Sequence, residues 1–257
     1  MGFRYLDRVA SPEHIQQFLE LVDLAAGAGQ SAENVFQLSH RLRASRPMQL
    51  CRKRLERNPA CKELIDQRRL CGPYNSEQLL AMPRGSLGHT YATALKAMGY
   101  DINFFPESAF FENLEDDADY INYRVYATHD IHHIVSGFSL DNFGELGVIS
   151  ISVAQFSHPG LAFTDLMAIL LSWLSADTPI DELESPLEQA RTAAYAFRMI
   201  SQGLEMGMAA QPLFPVIWED RFEQNLEELR LELGITPVCE GHWSWYQTPD
   251  IRKALAL

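Results

Sequence analysis

The sequence lacks an excess of basic residues, which limits its partners. Lys and Arg number 21 against 34 Asp and Glu, giving a formal net charge of -13 at pH 7. Nucleic-acid binding depends on a basic surface that neutralises phosphates. The charge balance therefore excludes a general nucleic-acid binder, and it predicts that an anionic membrane repels the chain overall.

Cysteine is also scarce, and the four cysteines form no sequence motif. Cys51, Cys61 and Cys71 are spaced ten apart, and Cys239 lies far downstream. This pattern contains no C-x-x-C pair, so it fits neither a zinc knuckle nor a thioredoxin-like site. We interpret the four as reduced thiols of a cytoplasmic protein. The first residues show neither a signal peptide nor a myristoylation pattern.

Long apolar runs and flexible linkers are missing too. The most apolar run, LAFTDLMAILLSWL at 161–174, is too short to cross a bilayer comfortably and contains Asp165. We interpret it as a buried core helix. No Gly-, Ser- or Pro-rich linker divides the chain, and apolar residues recur at helical spacing in nearly every segment. We therefore predict one all-α domain, a multi-helix bundle, in which residues 1–72 could form a separable layer.

Local signals place the individual helices. Pro12 and Ser31 each mark a helix start, and Asn58-Pro59 separates two short helices. Gly137 is a good stop for a long helix. Further downstream we predict helices at about 116–136, 142–156, 162–175, 185–207 and 215–233. The VISISV segment of the second of these would also suit a strand.

Histidine is rare except in one stretch, THDIHHIVSGFSLDNFGE at 128–145. The chain has 8 histidines, and three of them lie here. At about 100° per residue on a helix, His129, Asp130 and His133 share one sector, whereas His132 points about 60° to the other side. Imidazoles and a carboxylate on one face are typical metal ligands.

A fourth ligand depends on a break in the helix. Glu145 is twelve residues beyond His133, and on an unbroken helix it would stand about 18 Å away. Gly137 and Gly144 supply the break, so a second helix can start with Glu145 in its first turn. This helix–break–helix arrangement predicts a site of two imidazoles and two carboxylates. Such a set suits zinc, iron or manganese, and magnesium if the carboxylates dominate.

The same residues carry a resemblance. The pattern H-D-x-x-H at 129–133, followed after eleven residues by Glu145, resembles the motif of the coenzyme Q biosynthesis protein 4 family. Upstream, LLAMPRGSLGHTYATAL is similar to the family's turn and Tyr-bearing helix. Downstream, WEDRFEQNLEELRLELGI is similar to its terminal Trp-containing helix. The resemblance spans 75–235, and residues 1–70 carry no part of it.

The resemblance implies a place in ubiquinone synthesis, with His129, Asp130, His133 and Glu145 as ligands of a divalent ion, zinc before the other metals. A hydrophobic cavity would hold a polyprenyl lipid or a prenylated quinone precursor, with the head group near the ion. A catalytic member would remove the head-group carboxylate with oxidation at that ring carbon, and a non-catalytic one would present the lipid. Other quinone-biosynthesis proteins, peripheral membrane contact and a homodimer are the expected associations.

One segment suits the lipid tail, and one feature departs from the family. The stretch AAYAFRMISQGLEMGMAA at 193–210 mixes small residues with methionines, which leaves adaptable room. A second candidate is the Phe-rich stretch at 104–111. The family usually shows a Lys and a second Glu after Glu145, where this chain has Ile149 and Ser152. The tail cavity is predicted at Met199, Gly203, Met206 and Gly207.

Two other functions stay open at this point. A histidine-aspartate phosphohydrolase would use His129-Asp130 with His89 and a later acid such as Asp165, but it leaves His133 and Glu145 without a role. A magnesium enzyme acting on prenyl phosphates would use the acidic run at 115–119, and here the candidate ligands are Glu115, Asp116 and Asp119. We interpret that run instead as anionic residues at the positive end of a helix.

Overall fold

The computed structural model describes residues 11–104, 114, 116–142, 144–174 and 193–256, and these residues form an all-α fold without a regular strand. The α-helices are α1 (Pro12–Ala26), α2 (Ala32–Leu42), α3 (Arg46–Leu55), α4 (Pro59–Gln67), α5 (Ser76–Leu80), α6 (Leu87–Met98), α7 (Asp117–Ala127), α8 (His129–Ser136), α9 (Glu145–Phe156), α10 (Pro159–Leu174), α11 (Ala193–Ala209), α12 (Leu226–Leu233) and α13 (Pro249–Leu255). Single 3-10 turns occupy Trp218–Arg221 and Trp245–Gln247. The all-α prediction is confirmed.

Side-chain caps explain why the early helices begin where they were predicted. The hydroxyl of Ser11 accepts a hydrogen bond from the backbone N–H of His14 at 3.3 Å, and α1 follows. The hydroxyl of Ser31 accepts from the N–H of Glu33 at 3.2 Å. Asn58 caps α4 in the same way. Each cap satisfies an N–H group that the first turn of a helix leaves without a partner.

Several predicted boundaries differ from the structure. The long helix at 116–136 is two helices, because the backbone leaves the helical region at Thr128. The helix at 215–233 begins only at Leu226, where Asn225 accepts hydrogen bonds from two N–H groups of the first turn. The VISISV segment is helical, within α9. The predicted start at 185 lies outside the described residues, and the described helix there begins at Ala193.

The N-terminal helices pack against the rest of the molecule. Residues from α3 and α4, among them Met48 and Ile65, belong to the main hydrophobic core. Residues from α1, α2 and α10 form a second, smaller cluster around Ala25, Leu38 and Met167. The N-terminal segment therefore shares its apolar contacts with the C-terminal half.

The helices α9 and α11 lie in close contact at two of the residues of the predicted tail cavity, which stays a prediction. A Cβ atom added at Gly203 would lie 2.7 Å from Cβ of Ser150, and one added at Gly207 would lie 2.6 Å from the carbonyl oxygen of Ile151. Both distances are shorter than van der Waals contact allows. Met199 is fully buried in the same region. The small residues of α11 therefore let two helix backbones approach each other at these positions.

The apolar run at 161–174 is not the buried core helix that we predicted. Leu166 of α10 is 60% exposed, Trp173 is 67% exposed and Leu174 is 57% exposed. Within the described residues, no helix combines the length and the apolar character that crossing a bilayer requires. Thus α10 is an apolar helix at the surface.

Candidate metal centre and adjoining cavity

Two local features place the histidine-bearing helix. Thr128 ends α7, and its hydroxyl donates a hydrogen bond to the carbonyl of Arg124 at 2.9 Å, so that His129 starts α8. Gly137 ends α8 with φ of 85°, in the left-handed region that favours glycine. A Cβ there would also lie 2.6 Å from the backbone nitrogen of Val238. Both the conformation and the close approach require a glycine.

The glycine-broken return brings Glu145 back to the histidines, as the sequence predicted. Gly144 precedes α9, and Glu145 is the first residue of that helix. Its carboxylate lies 2.9 Å from Nε2 of His129 and 3.4 Å from Nε2 of His133. The exposed fraction of the Glu145 side chain is 39%, whereas that of His133 is 1%. The carboxylate therefore forms the open side of the cluster.

The donor atoms have a spacing that fits a metal ion. One donor atom each from His129, Asp130 and His133 lie within 4.8 Å of one another, and the two Nε2 atoms are 3.1 Å apart. Zinc bonds to nitrogen and oxygen of about 2.0–2.1 Å place tetrahedral ligands about 3.3 Å apart. The distances from Glu145 to the two histidines, 2.9 and 3.4 Å, are in the same range.

The charged groups of the cluster shift one another's pKa values. Burial by itself raises the pKa of Glu145, but the nearby His129 and His133 outweigh burial and hold that pKa well below its usual range. Burial lowers the pKa of His129, yet the charge and hydrogen bond of Glu145, together with Asp130, raise it overall. Burial raises the pKa of Asp130, against the opposing effect of the two histidines. Glu145 is thus ionised and available as a ligand.

The third histidine of the stretch lies apart from the cluster. His132 is buried, and its ring contacts Trp218 edge to face with 5.6 Å between ring centroids. Burial lowers its pKa to about 3, so it is neutral. This position agrees with the helical spacing, which turned His132 away from its neighbours. Nδ1 of His133 has no hydrogen-bond partner among the described residues, so no neighbouring group selects its tautomer.

The C-terminal end of α8 is held by a distant part of the chain. The guanidinium of Arg230, which is buried, donates to the carbonyl of Val135 at 2.9 Å and to that of Ile134 at 2.7 Å. The indole of Trp245 also donates to Ile134, at 3.2 Å. These donors satisfy carbonyls that a helix end leaves unpaired, and they fix the helix that carries the histidines. No local sequence pattern marks Arg230 or Trp245 for this role.

A cavity of about 790 Å3 adjoins the cluster. His129, Asp130, His133 and Glu145 lie at its lining, and further polar lining residues are Tyr100, Asp101, Asp141 and Asn142. Its apolar lining comes from helices α2, α9 and α10, through Val35, Phe36, Leu146, Ile149, Leu161, Ala168 and Leu171. None of its described lining residues is Lys or Arg.

Most of these lining residues were not predicted. Of the two tail candidates, α11 contributes none of the lining, whereas Phe104 of the Phe-rich stretch does. Residues 105–113 lie outside the described part of the chain. Ile149, which replaces a charged residue of the family pattern, is an apolar lining residue. In the sequence, apolar residues on all sides of α10 were the signal that could have indicated a helix facing a cavity as well as the core.

The alternative sites are not assembled in the described residues. Neither His89 nor Asp165 is among the lining residues of the cavity that adjoins the cluster, and Asp165 accepts a hydrogen bond from Ser150 at 2.9 Å. Of the acidic run, Glu115 lies outside the described residues. Asp116 caps α7 by accepting from the N–H of Ala118 at 2.8 Å. That contact agrees with the interpretation of the run as a helix start.

The fold and the site define an all-α protein with a histidine–carboxylate cluster at the side of an apolar cavity. The family model described as "Coenzyme Q (ubiquinone) biosynthesis protein Coq4" matches residues 22–239. The chain belongs to this family. The match begins well before residue 75, so the resemblance extends further toward the N-terminus than the quoted motifs indicated.

Individual relatives agree with this assignment. "Ubiquinone biosynthesis protein COQ4, mitochondrial" of Clavispora lusitaniae is 29% identical over 179 residues, which are 70% of this chain and 48% of the relative. The COQ4 homolog of Aedes aegypti, also named mitochondrial, is 29% identical over 163 residues, 63% of this chain and 53% of the relative. The chain thus spans about half the length of these relatives. A cytoplasmic location stays a prediction for this chain.

A solved structure shares the fold. It comes from Nostoc punctiforme and is described as a candidate ubiquinone biosynthesis protein. It is 26% identical with a TM-score of 0.68, and the alignment covers 84% of this chain and 95% of that one.

Proposed function

We propose that this chain binds a divalent metal ion and a prenylated quinone precursor in isoprenoid quinone biosynthesis. The observation that carries the proposal is that His129, Asp130 and His133 lie together, with the carboxylate of Glu145 against both histidines, at the side of a large apolar cavity. The ion would be held by two imidazoles and two carboxylates, a set that suits zinc and also iron or manganese. Membership of the Coq4 family supports the pathway.

The cavity suits a lipid tail with a small polar head. Its volume lies within the range of about 300–1,000 Å3 that is usual for ligand pockets, and its apolar side chains come from several helices, among them α2, α9 and α10. Besides the cluster, the polar lining residues include Tyr100 and Asn142. The tail would lie against Phe36, Ile149 and Leu171, while the head group faces the metal ligands.

In this proposal Glu145 and the two histidines would bind the ion from different sides. Glu145 is partly exposed and joins the second helix to the first, so it closes the ligand set from the cavity side. His133 is buried and His129 is nearly so, which keeps water from one side of the cluster. When bound, a divalent ion would supply a Lewis acid for an oxygen of the head group, or a redox centre if it is iron.

The metal part of the proposal is tested by a double substitution. We expect His133→Ala with Glu145→Ala to remove the bound ion from the purified protein, measured by elemental analysis, while the helical circular dichroism spectrum stays largely intact. His132→Asn is the matched control, because it changes a buried histidine of the same helix that lies against Trp218 and outside the cluster. Equal metal content in both variants would refute the assignment.

The lipid part is tested on the cavity wall. Ala168 of α10 lines the cavity, so Ala168→Phe should reduce the isoprenoid recovered by mass spectrometry of organic extracts and leave the ion in place. Ala194→Phe, at an exposed position of α11, is the control. Assay with a prenylated ring carboxylic acid then separates the two roles, because a decarboxylase releases carbon dioxide and a lipid-presenting scaffold does not. An unchanged isoprenoid content in Ala168→Phe would contradict the proposed tail site.

A further inference from the structure

The ligands of the metal cluster come from two helices, so the cluster depends on how these helices are placed. His129, Asp130 and His133 all lie on α8, where local helix geometry fixes their mutual positions. Glu145 is the first residue of α9 and reaches the two histidines at 2.9 and 3.4 Å. Metal ligands tolerate errors of only about 0.2 Å. The start of α9 therefore decides whether the fourth ligand is in reach.

The return between α8 and α9 is bonded to a segment near the C-terminus, residues 238–245, which we call the clasp. Three hydrogen bonds run from a backbone N–H to a backbone carbonyl: from Val238 to Ser136 at 2.9 Å, from Trp245 to Gly137 at 3.1 Å and from Ser139 to Trp243 at 2.8 Å. Phe138 and Ser244 face each other between them in an isolated antiparallel bridge. The match to the family model ends at residue 239, so most of the clasp lies beyond it. The position of the return therefore follows that of the clasp.

The start of α9 rests directly on the bonded residues of the return. A Cβ atom added at Gly144 would lie 2.5 Å from the backbone nitrogen of Ser139, and one added at Gly147 would lie 2.7 Å from Cδ1 of Phe138. Both distances are shorter than van der Waals contact allows, so α9 packs on this backbone and ring without a gap. Phe138 is fully buried. Because Glu145 lies between the two glycines, a shift of Phe138 and Ser139 moves its carboxylate.

The clasp is held in shape by its own contacts. The hydroxyl of Ser244 donates a hydrogen bond to the carbonyl of Val238 at 2.6 Å and accepts one from the N–H of Tyr246 at 3.3 Å. Gly241 turns the segment with φ of 84°, in the left-handed region. A Cβ atom there would lie 2.6 Å from Cε2 of Trp243. These contacts fix Val238 and Trp243, which are both bonded to the return.

We propose that the clasp is a positioning element for Glu145: it holds the return, and with it the first turn of α9, where the carboxylate meets both histidines. The inference rests on the proposed function, because it concerns the ligands of the bound ion. Arg230 supports the same cluster separately, since its guanidinium donates to carbonyls of α8. A distorted clasp would leave the three ligands of α8 together and take the fourth out of reach. Zinc affinity then falls although the histidines stay in place.

One substitution in the clasp tests this inference against a matched control. Gly241→Ala places a side chain on left-handed backbone and against the ring of Trp243. Gly85→Ala has the same backbone strain, with φ of 82°, but the atom nearest to its added Cβ is 3.6 Å away. Gly85 lies outside the clasp and does not line the cavity. We expect Gly241→Ala to raise the Kd for zinc about tenfold and Gly85→Ala to leave it unchanged, measured on the whole chain by competition with a chelator.

A double-mutant cycle shows whether the clasp acts through Glu145. In a Glu145→Gln background the fourth ligand is already weakened, so Gly241→Ala should raise the Kd for zinc by less than about twofold. A clasp that only stabilised the fold, or that acted on α8, would give the same rise in both backgrounds. Circular dichroism and the thermal midpoint without metal check that each variant is folded. If Gly241→Ala does not fold, Ser244→Ala, which removes one hydroxyl from the clasp, takes its place.

The outcomes separate this inference from the proposed function. A wild-type chain that takes up no zinc, iron or manganese would refute the metal site and the role of the clasp together. If wild type binds zinc but Gly241→Ala binds it as tightly as Gly85→Ala, the clasp has no positioning role and the site stands. Equal losses in both backgrounds would also overturn the inference, as would unchanged affinity in Glu145→Gln, because Glu145 would then not be a ligand. A loss that depends on Glu145 supports both.

Discussion

Replacing Gly203 with Ala tests whether α11 is a packed seam, as the structure has it, or a cavity wall. The added Cβ would lie 2.7 Å from Cβ of Ser150 and 2.9 Å from the carbonyl carbon of Gly147, both on α9. An ordinary contact begins at 3.4 Å, so the two helices must separate by at least about 0.7 Å. A cavity wall would accept the methyl group without any movement.

The magnitude follows from two opposing effects. Overpacking of a close contact costs about 1–3 kcal/mol, and the clash here involves backbone atoms, which places it toward the upper part of that range. Alanine regains about 0.5–1 kcal/mol through its better helix propensity. We therefore expect a net loss of about 1–2 kcal/mol in the free energy of unfolding, or about 2–8 °C in the thermal midpoint.

Urea denaturation and a thermal scan of the same samples measure this loss. Gly29→Ala is the control, because the atoms nearest to its added Cβ, in the side chain of Asn142, are 4.0 Å away and its backbone is not in the left-handed region. The control should keep its midpoint, while metal content should not change in either variant. A Gly203→Ala protein as stable as the control would show that α11 is not packed as described.

Three further predictions concern burial, support and the ion. Burial raises the pKa of Asp165 to about 7, so the folded protein loses stability relative to the unfolded chain as pH rises from about 4 through 7. The free energy of unfolding of Asp165→Asn, relative to wild type, should therefore increase by about 4 kcal/mol between pH 4 and pH 8. A difference in urea midpoints that does not change with pH would contradict this. Arg230→Met removes the guanidinium donor of Val135 and one of the two side-chain donors of Ile134, which keeps Trp245, and should cost about 1–3 kcal/mol in the free energy of unfolding. Arg230→Lys should be intermediate, because one ammonium cannot reproduce the fork; a loss within experimental error would contradict the supporting role. Removing the ion with a chelator should lower stability by about 2.7 kcal/mol relative to the protein at 100 times the Kd, and re-addition should restore it; an unchanged midpoint would count against a folded-state site.

Sequence alone determined the features that depend on neighbouring residues. Pro12 and the cap at Ser31 predicted helix starts, because both signals act on N–H groups that are close in sequence. The four-residue spacing of His129 and His133 placed both on one face, and the glycine break predicted the return of Glu145, because each depends only on local backbone geometry. The motif on these residues also indicated the family correctly.

Tertiary structure alone decided where empty space lies. Small residues such as Gly203 permit either a ligand or a second helix to approach, and only the position of α9 shows that a helix does. The apolar composition of α10 favoured a core helix, and the structure makes it cavity wall on one side and surface on the other. Likewise the sequence around Arg230 is typical of a surface position on an amphipathic helix. Only the structure shows that its side chain donates to carbonyls about a hundred residues away. Packing between distant segments sets these properties, and no local pattern records which segment becomes the neighbour.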